Sequence, residues 1–164
     1  MACANVAVMD TSVAEAPSIA LIRVDETCER HIRFTREDIA TFARLSGDTN
    51  PLHLNLQAAQ RARHGEIIAS GQQTTAQMMG LVASHFSRSD DSGARELLCL
   101  NFNFAFKAPV FAEQDLLLHW RVASVEWNAT LGGWLAHVDG RATVRNAHPC
   151  VVGRGTLLVK PAEL

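Results

Sequence analysis

No pair of cysteines in this chain is spaced as CxxC, no run of lysine and arginine gathers into a basic stripe, and no apolar stretch approaches the roughly 20 residues that a membrane helix needs. Each absence excludes a class. The four cysteines, Cys3, Cys28, Cys99 and Cys150, offer neither zinc-ligand spacing nor a disulfide framework, which fits a reducing cytoplasm. A net charge of -2 without a basic patch lacks the electrostatic footprint of a protein that grips a phosphate backbone, so nucleic acid is not an expected partner, and neither is a membrane. The opening MACANVAVMDTSVAEAPS has no basic n-region and is broken by Asp10, so it fails as a secretory signal. Residues 1–17 are expected to be an extended or poorly ordered leader. There is no internal repeat and no low-complexity linker. What is present, 164 residues of which 48% are hydrophobic, suits a single domain over residues 18–164 that buries about two-thirds of its unfolded surface.

The pattern of the chain predicts an α+β protein. SIALIRVDETCERHIRFT holds two short β-type runs, after which Thr35 can cap REDIATFARLS, a helix ending near Ser46 and Gly47. Residues 48–66 keep no long period, although LQAAQRAR can make a helical turn or two. Ordered loop regions of this length usually serve function. ASGQQTTAQMMGLVASHFSR carries Met78, Met79, Leu81, Val82 and Phe86 with almost no charge, which predicts a long helix buried on most of its circumference. Four strands follow. In LLCLNFNFAFK, Leu98, Leu100, Phe102, Phe104 and Phe106 alternate with polar and small residues. DLLLHWRVASVEW sets Leu118, Trp120 and Val122 on one face, then changes parity at Val125 and Trp127, as a bulge would do. WLAHVDGRATVRN and CVVGRGTLLVK complete the set, with a hairpin turn over residues 128–133. Helices followed by consecutive strands imply an antiparallel sheet, here curled around the apolar helix.

LSGDTNPLHLN, residues 45–55, admits two readings. Gly, Asp, Asn and Pro are the common turn formers, so the stretch could simply stop one helix and start another, with Asp48 capping backbone N–H groups. Alternatively, Pro51 stiffens the chain between an acid and an imidazole, and Asp48 and His53 then share the work of polarising a water and moving its proton.

The run FARLSGDTNPLHLNLQAA, residues 42–59, resembles the signature of the MaoC-like (R)-specific enoyl-CoA hydratases and dehydratases, in which a G-D-x-N-P-(L/I)-H core precedes an alanine-containing helical turn. Element order extends the resemblance from about Ser18 to Lys160, and FKAPVFAEQDLLLHW is similar to the family's strand pair that follows. The resemblance implies a hot-dog fold, an antiparallel sheet wrapped around a long central helix. It implies that Asp48 and His53 are the catalytic pair and that Asn50 and Pro51 shape the loop presenting them. It also implies that Gly71, opening the central helix, offers its backbone N–H to the thioester oxygen beside Ser70. Family members often carry His-Gly where this chain has Ser70-Gly71, and aspartate where it has Asn55. The implied substrate is an acyl thioester of coenzyme A or acyl carrier protein, the implied assembly a homodimer, and no metal or cofactor beyond the carrier arm is expected. A hot-dog thioesterase and a non-catalytic acyl-thioester-binding domain remain the alternatives.

Other candidates have plainer accounts. His31, His64, His85, His119, His137 and His148 show no paired metal-ligand spacing and read as surface or strand residues. Cys150 in HPC reads as part of a turn before the last strand. Met78 and Met79 read as core filler, and Arg61, Arg63 and Lys107 as solvated charge.

Overall fold

Thr35 illustrates how local chemistry sets the element boundaries. Its hydroxyl accepts from the Asp38 N–H at 3.1 Å while the Asp38 carboxylate accepts the Thr35 N–H at 2.9 Å, a reciprocal capping box. The helix it opens closes at Gly47, whose φ of 73° lets its N–H fold back onto the last carbonyls. The computed structural model describes residues 21–87, 94–144 and 148–162; the leader expected over residues 1–17 lies outside them. The element order is β1 (Thr27–Arg33), α1 (Arg36–Ser46), α2 (Pro51–Leu54), α3 (Leu56–Arg61), α4 (Gly71–Phe86), β2 (Arg95–Phe106), β3 (Asp115–Asn128), β4 (Gly133–Val144) and β5 (Pro149–Pro161). Of the two β-type runs expected before Thr35, the described residues contain one strand, β1.

The five strands form one antiparallel sheet in the order β1-β3-β4-β5-β2, the hot-dog arrangement in which the sheet curves over a helix. Its concave face is built from alternate residues. Leu116, Leu118, Trp120 and Val122 of β3 meet Ala136, Val138 and Ala142 of β4 and Val151, Leu157 and Val159 of β5, all buried. Each large side chain so buried contributes about 1.5–3 kcal/mol. The parity change expected in β3 is a register shift between Val122 and Ser124. Trp120 fastens sheet to helix, donating its indole N–H to the Met78 carbonyl at 2.9 Å.

Two expectations need correction. Leu98 and Leu100 do not share the inward face with Phe102 and Phe104, because a register shift between Cys99 and Asn101 flips the parity of β2. They are 48% and 47% exposed. The helix α4 is not buried on most of its circumference: Gln73, Thr74, Met78, Leu81, Val82 and Phe86 face inward, whereas Gln72, Ala76, Gln77, Met79 and Ser84 are exposed. One concave sheet covers one side of a helix and leaves the other open. No helix among the described residues is long and apolar enough to cross a membrane.

Candidate active site

The loop that follows α1 is held by its own polar side chains. Asp48 accepts the Asn50 N–H on Oδ1 at 3.0 Å, closing an Asx turn, and the Asp48 N–H donates to the Ala43 carbonyl at 2.9 Å. Asn50 in turn caps α2, its side-chain oxygen accepting the Leu52 N–H at 3.1 Å, and Pro51 supplies the first helical residue. The turn reading of this stretch is therefore correct for Asn50 and for one oxygen of Asp48. It does not account for the other oxygen.

Asp48 Oδ2 lies 3.5 Å from His53 Nε2. The far side of the imidazole fixes its chemistry: His53 Nδ1 is 2.7 Å from the Ile68 carbonyl oxygen, which can only accept, so Nδ1 carries the hydrogen. In the neutral ring the lone pair is then on Nε2, directed toward the carboxylate. Two acceptors facing each other cannot bond directly, but an O–H donor beside them can be held by both. The His53 side chain is 7% exposed and that of Asp48 23%, so the imidazole is enclosed while the carboxylate reaches solvent.

Ile68 also links the pair to α4. Its N–H donates to the Leu52 carbonyl at 3.3 Å, and the next residue, Ala69, donates to Val110 at 2.8 Å. Ser70 then caps α4, its hydroxyl oxygen accepting the Gln73 N–H at 3.2 Å. Gly71 is the first helical residue, three positions beyond the carbonyl that orients His53, which limits their separation to about 11 Å. No hydrogen bond of the described residues engages the Gly71 N–H, one of the first-turn amides that a helix leaves over. The partial positive charge of the helix start lies at the same place.

Gly71 lines a cavity of about 660 Å³ with Thr74, Thr75, Phe104, Phe106 and Val110, and with Lys107 and His64. Asp48 and His53 are not among its lining residues. The absence of a side chain at Gly71 is filled by Phe106, since a Cβ there would stand 2.7 Å from Phe106 Cε1. Phe106 is itself 59% exposed at the end of β2. Sequence reasoning missed three participants. Phe106 meets Gly71, and His64 reaches the same cavity, only through the fold, and the Ile68 carbonyl, a backbone group, leaves no mark on the residue string. Asn55, where the resemblance offers aspartate, caps α3 by accepting the Ala58 N–H at 3.0 Å.

The comparisons bear on the family and the fold. A model of the MaoC like domain family matches residues 22–131, which include both the loop and α4. The structure superposes on an (R)-hydratase from A. caviae involved in PHA biosynthesis with a TM-score of 0.73 at 23% identity, over 86% of this chain and 98% of that one. A similar likeness, TM-score 0.67 at 18% identity over 82% of this chain and 96% of the other, holds for the HadBC (3R-hydroxyacyl-ACP dehydratase) complex from Mycobacterium tuberculosis. In sequence the chain is 24% identical over 106 residues to the mitochondrial 3-hydroxyacyl-[acyl-carrier-protein] dehydratase of Arabidopsis thaliana, 65% of this chain but only 59% of that protein's length.

Proposed function

The chain belongs to the MaoC-like domain family, and from that premise we propose that it is a hydro-lyase acting on acyl thioesters, adding water reversibly to a trans-2-enoyl thioester to give the (R)-3-hydroxyacyl thioester or running the reverse dehydration. The observation that carries this reading is the approach of Asp48 Oδ2 to His53 Nε2 with Nδ1 committed to Ile68. One water donates to both acceptors. As its oxygen bonds to Cβ, the lone pair of His53 Nε2 accepts one proton, and the π electrons shift through Cα to the thioester oxygen. The Gly71 N–H and the start of α4 stabilise the resulting enolate. A proton from the pair then bonds to Cα on the same face, so addition is syn and the carbonyl is restored. Asn50 and Ser70 border the reacting groups and hold the two backbones that present them. The mechanism draws on no metal and no cofactor beyond the coenzyme A or carrier-protein arm of the substrate.

The proposed working unit is a cytoplasmic homodimer. Among the described residues β2 ends the sheet with one edge unpaired and exposes Leu98, Leu100 and Phe106, while α4 has one side uncovered. A long apolar edge strand of this kind needs a cover.

One assay decides among hydration, thioester hydrolysis and mere binding. Purified protein with crotonyl-CoA is expected to remove the conjugated-thioester absorbance without releasing thiol. Thiol release would point to a thioesterase, and neither signal to a binding domain.

A further inference from the structure

Helix geometry divides the first turns of α4 between two openings. Gly71 and Gln73 are about 200° apart around the axis and their Cα atoms about 5 Å apart. Gly71 faces the cavity already described, and Gln73 lines a second groove, of about 520 Å³, on the opposite side of the helix, between α1 and the end of β1. The two openings differ in chemistry. Lys107 and His64 line the first without an acidic residue among its walls. In the second, Ile32, Phe34, Phe42 and Leu45 supply apolar wall, and the charged groups are already engaged: Arg33 with Asp115 at 2.7 Å, and Asp38 in the capping box. A phosphate-bearing carrier arm suits the first opening, and a hydrocarbon chain suits the second.

Thr41 and Gln77, both exposed, also line that groove, and Gln73 is its buried polar residue. It is 5% exposed, and its Nε2 donates to the Asp38 carbonyl at 3.3 Å. A carbonyl accepts only, so this contact fixes which end of the amide is nitrogen. Oε1 is left buried with no hydrogen-bond partner. Buried amide oxygens are ordinarily satisfied, so an unpartnered one on a residue that lines a groove leaves an acceptor for a donor from outside the chain.

Building on the placement of the thioester at Gly71, we propose that the acyl chain beyond Cβ lies in the groove between α1, β1 and α4, and that Gln73 Oε1 accepts a hydrogen bond from a hydroxyl on that chain. The protein is then selective for hydroxylated acyl thioesters over plain ones of equal length. Gln73 is a specificity residue and takes no part in proton transfer.

Binding tests this without turnover. Titration calorimetry of ω-hydroxyhexanoyl-CoA and hexanoyl-CoA into the wild-type protein should show the hydroxylated thioester binding about tenfold more tightly, and Gln73→Met should abolish the difference. Equal dissociation constants in the wild type, a preference that survives Gln73→Met, or no binding of either thioester would each overturn the proposal. Should Gln73→Met fail to fold, Leu45→Arg, at a position 83% exposed, provides the second reading: it must weaken both hexanoyl thioesters, and unchanged binding would remove the groove from the site. A wild-type preference without hydration of the corresponding enoyl thioesters would leave the groove standing and sink the hydratase reading alone.

Discussion

His53 shows how much a single backbone contact decides. Without the Ile68 carbonyl the imidazole could present either nitrogen to Asp48; with it, Nε2 is the lone-pair nitrogen that can take a proton. Gly71 is constrained from another direction, by the Phe106 ring lying where its Cβ would be. Gly71→Ala is expected to displace the ring into the cavity, lowering kcat/KM for crotonyl-CoA by on the order of 10²-fold, because misplacing a reacting group by about 1 Å costs that much. The melting temperature should hardly move, since Gly71 has no left-handed φ and the ring is largely exposed. An unchanged kcat/KM would show that the thioester lies elsewhere. Asp38 makes a prediction in pH. Its carboxyl is held below the ordinary carboxylate value, first by the Thr35 hydroxyl and then by the Thr35 N–H. An acid depressed in the folded state contributes stability that is present above its unfolded pKa and is lost as pH falls through its folded pKa. Thr35→Ala should therefore cost about 1 kcal/mol near neutrality, and the difference should narrow in acid without vanishing, because the Thr35 hydroxyl still accepts the Asp38 N–H when the carboxyl is protonated. A difference in denaturant midpoint that stays constant down to pH values where Asp38 is protonated would contradict this.

Elements depend on closer packing than periodicity reveals. Gly140 of β4 and Gly153 of β5 lie beneath the Trp120 and Phe104 rings, and a Cβ at Gly140 would overlap Trp120 Cδ2 and Cε3. Trp120 is fully buried and tied to Met78, so it cannot move aside. Gly140→Ala is expected to destabilise by about 1–3 kcal/mol, measured by chemical denaturation, and a neutral effect would refute this packing. Nothing in the residue string signals that contact, because glycine leaves no hydropathy pattern. By contrast, α1 was legible to the residue: Thr35 as cap, a helical period through Ile39 and Phe42, Gly47 as stop. The bulge in β3 was legible too, as a parity change between Val122 and Val125. The bulge in β2 was not, since leucines on both sides of Cys99 preserve an apparent alternation that the chain does not keep. The candidate-site loop was readable in residue type, Asp48 and His53, while the Ile68 carbonyl meets His53 and Phe106 meets Gly71 across 15 and 35 positions, which no local period encodes.

For the whole molecule, the described residues leave β2 as an open edge with leucines on it, and one flank of α4 bare. Light scattering should give twice 17.9 kDa for the wild type, and Leu98→Lys combined with Leu100→Lys should shift it toward 17.9 kDa. A wild-type monomer would refute the paired assembly. The proposed activity requires both groups of the pair, whatever the assembly. The most direct measurement is the single-turnover rate of crotonyl-CoA hydration by Asp48→Asn and His53→Ala, each shown to melt with the wild type. Both rates should fall by about 10²–10⁴-fold; a near-normal rate in either variant would contradict the claim that these two side chains activate the water.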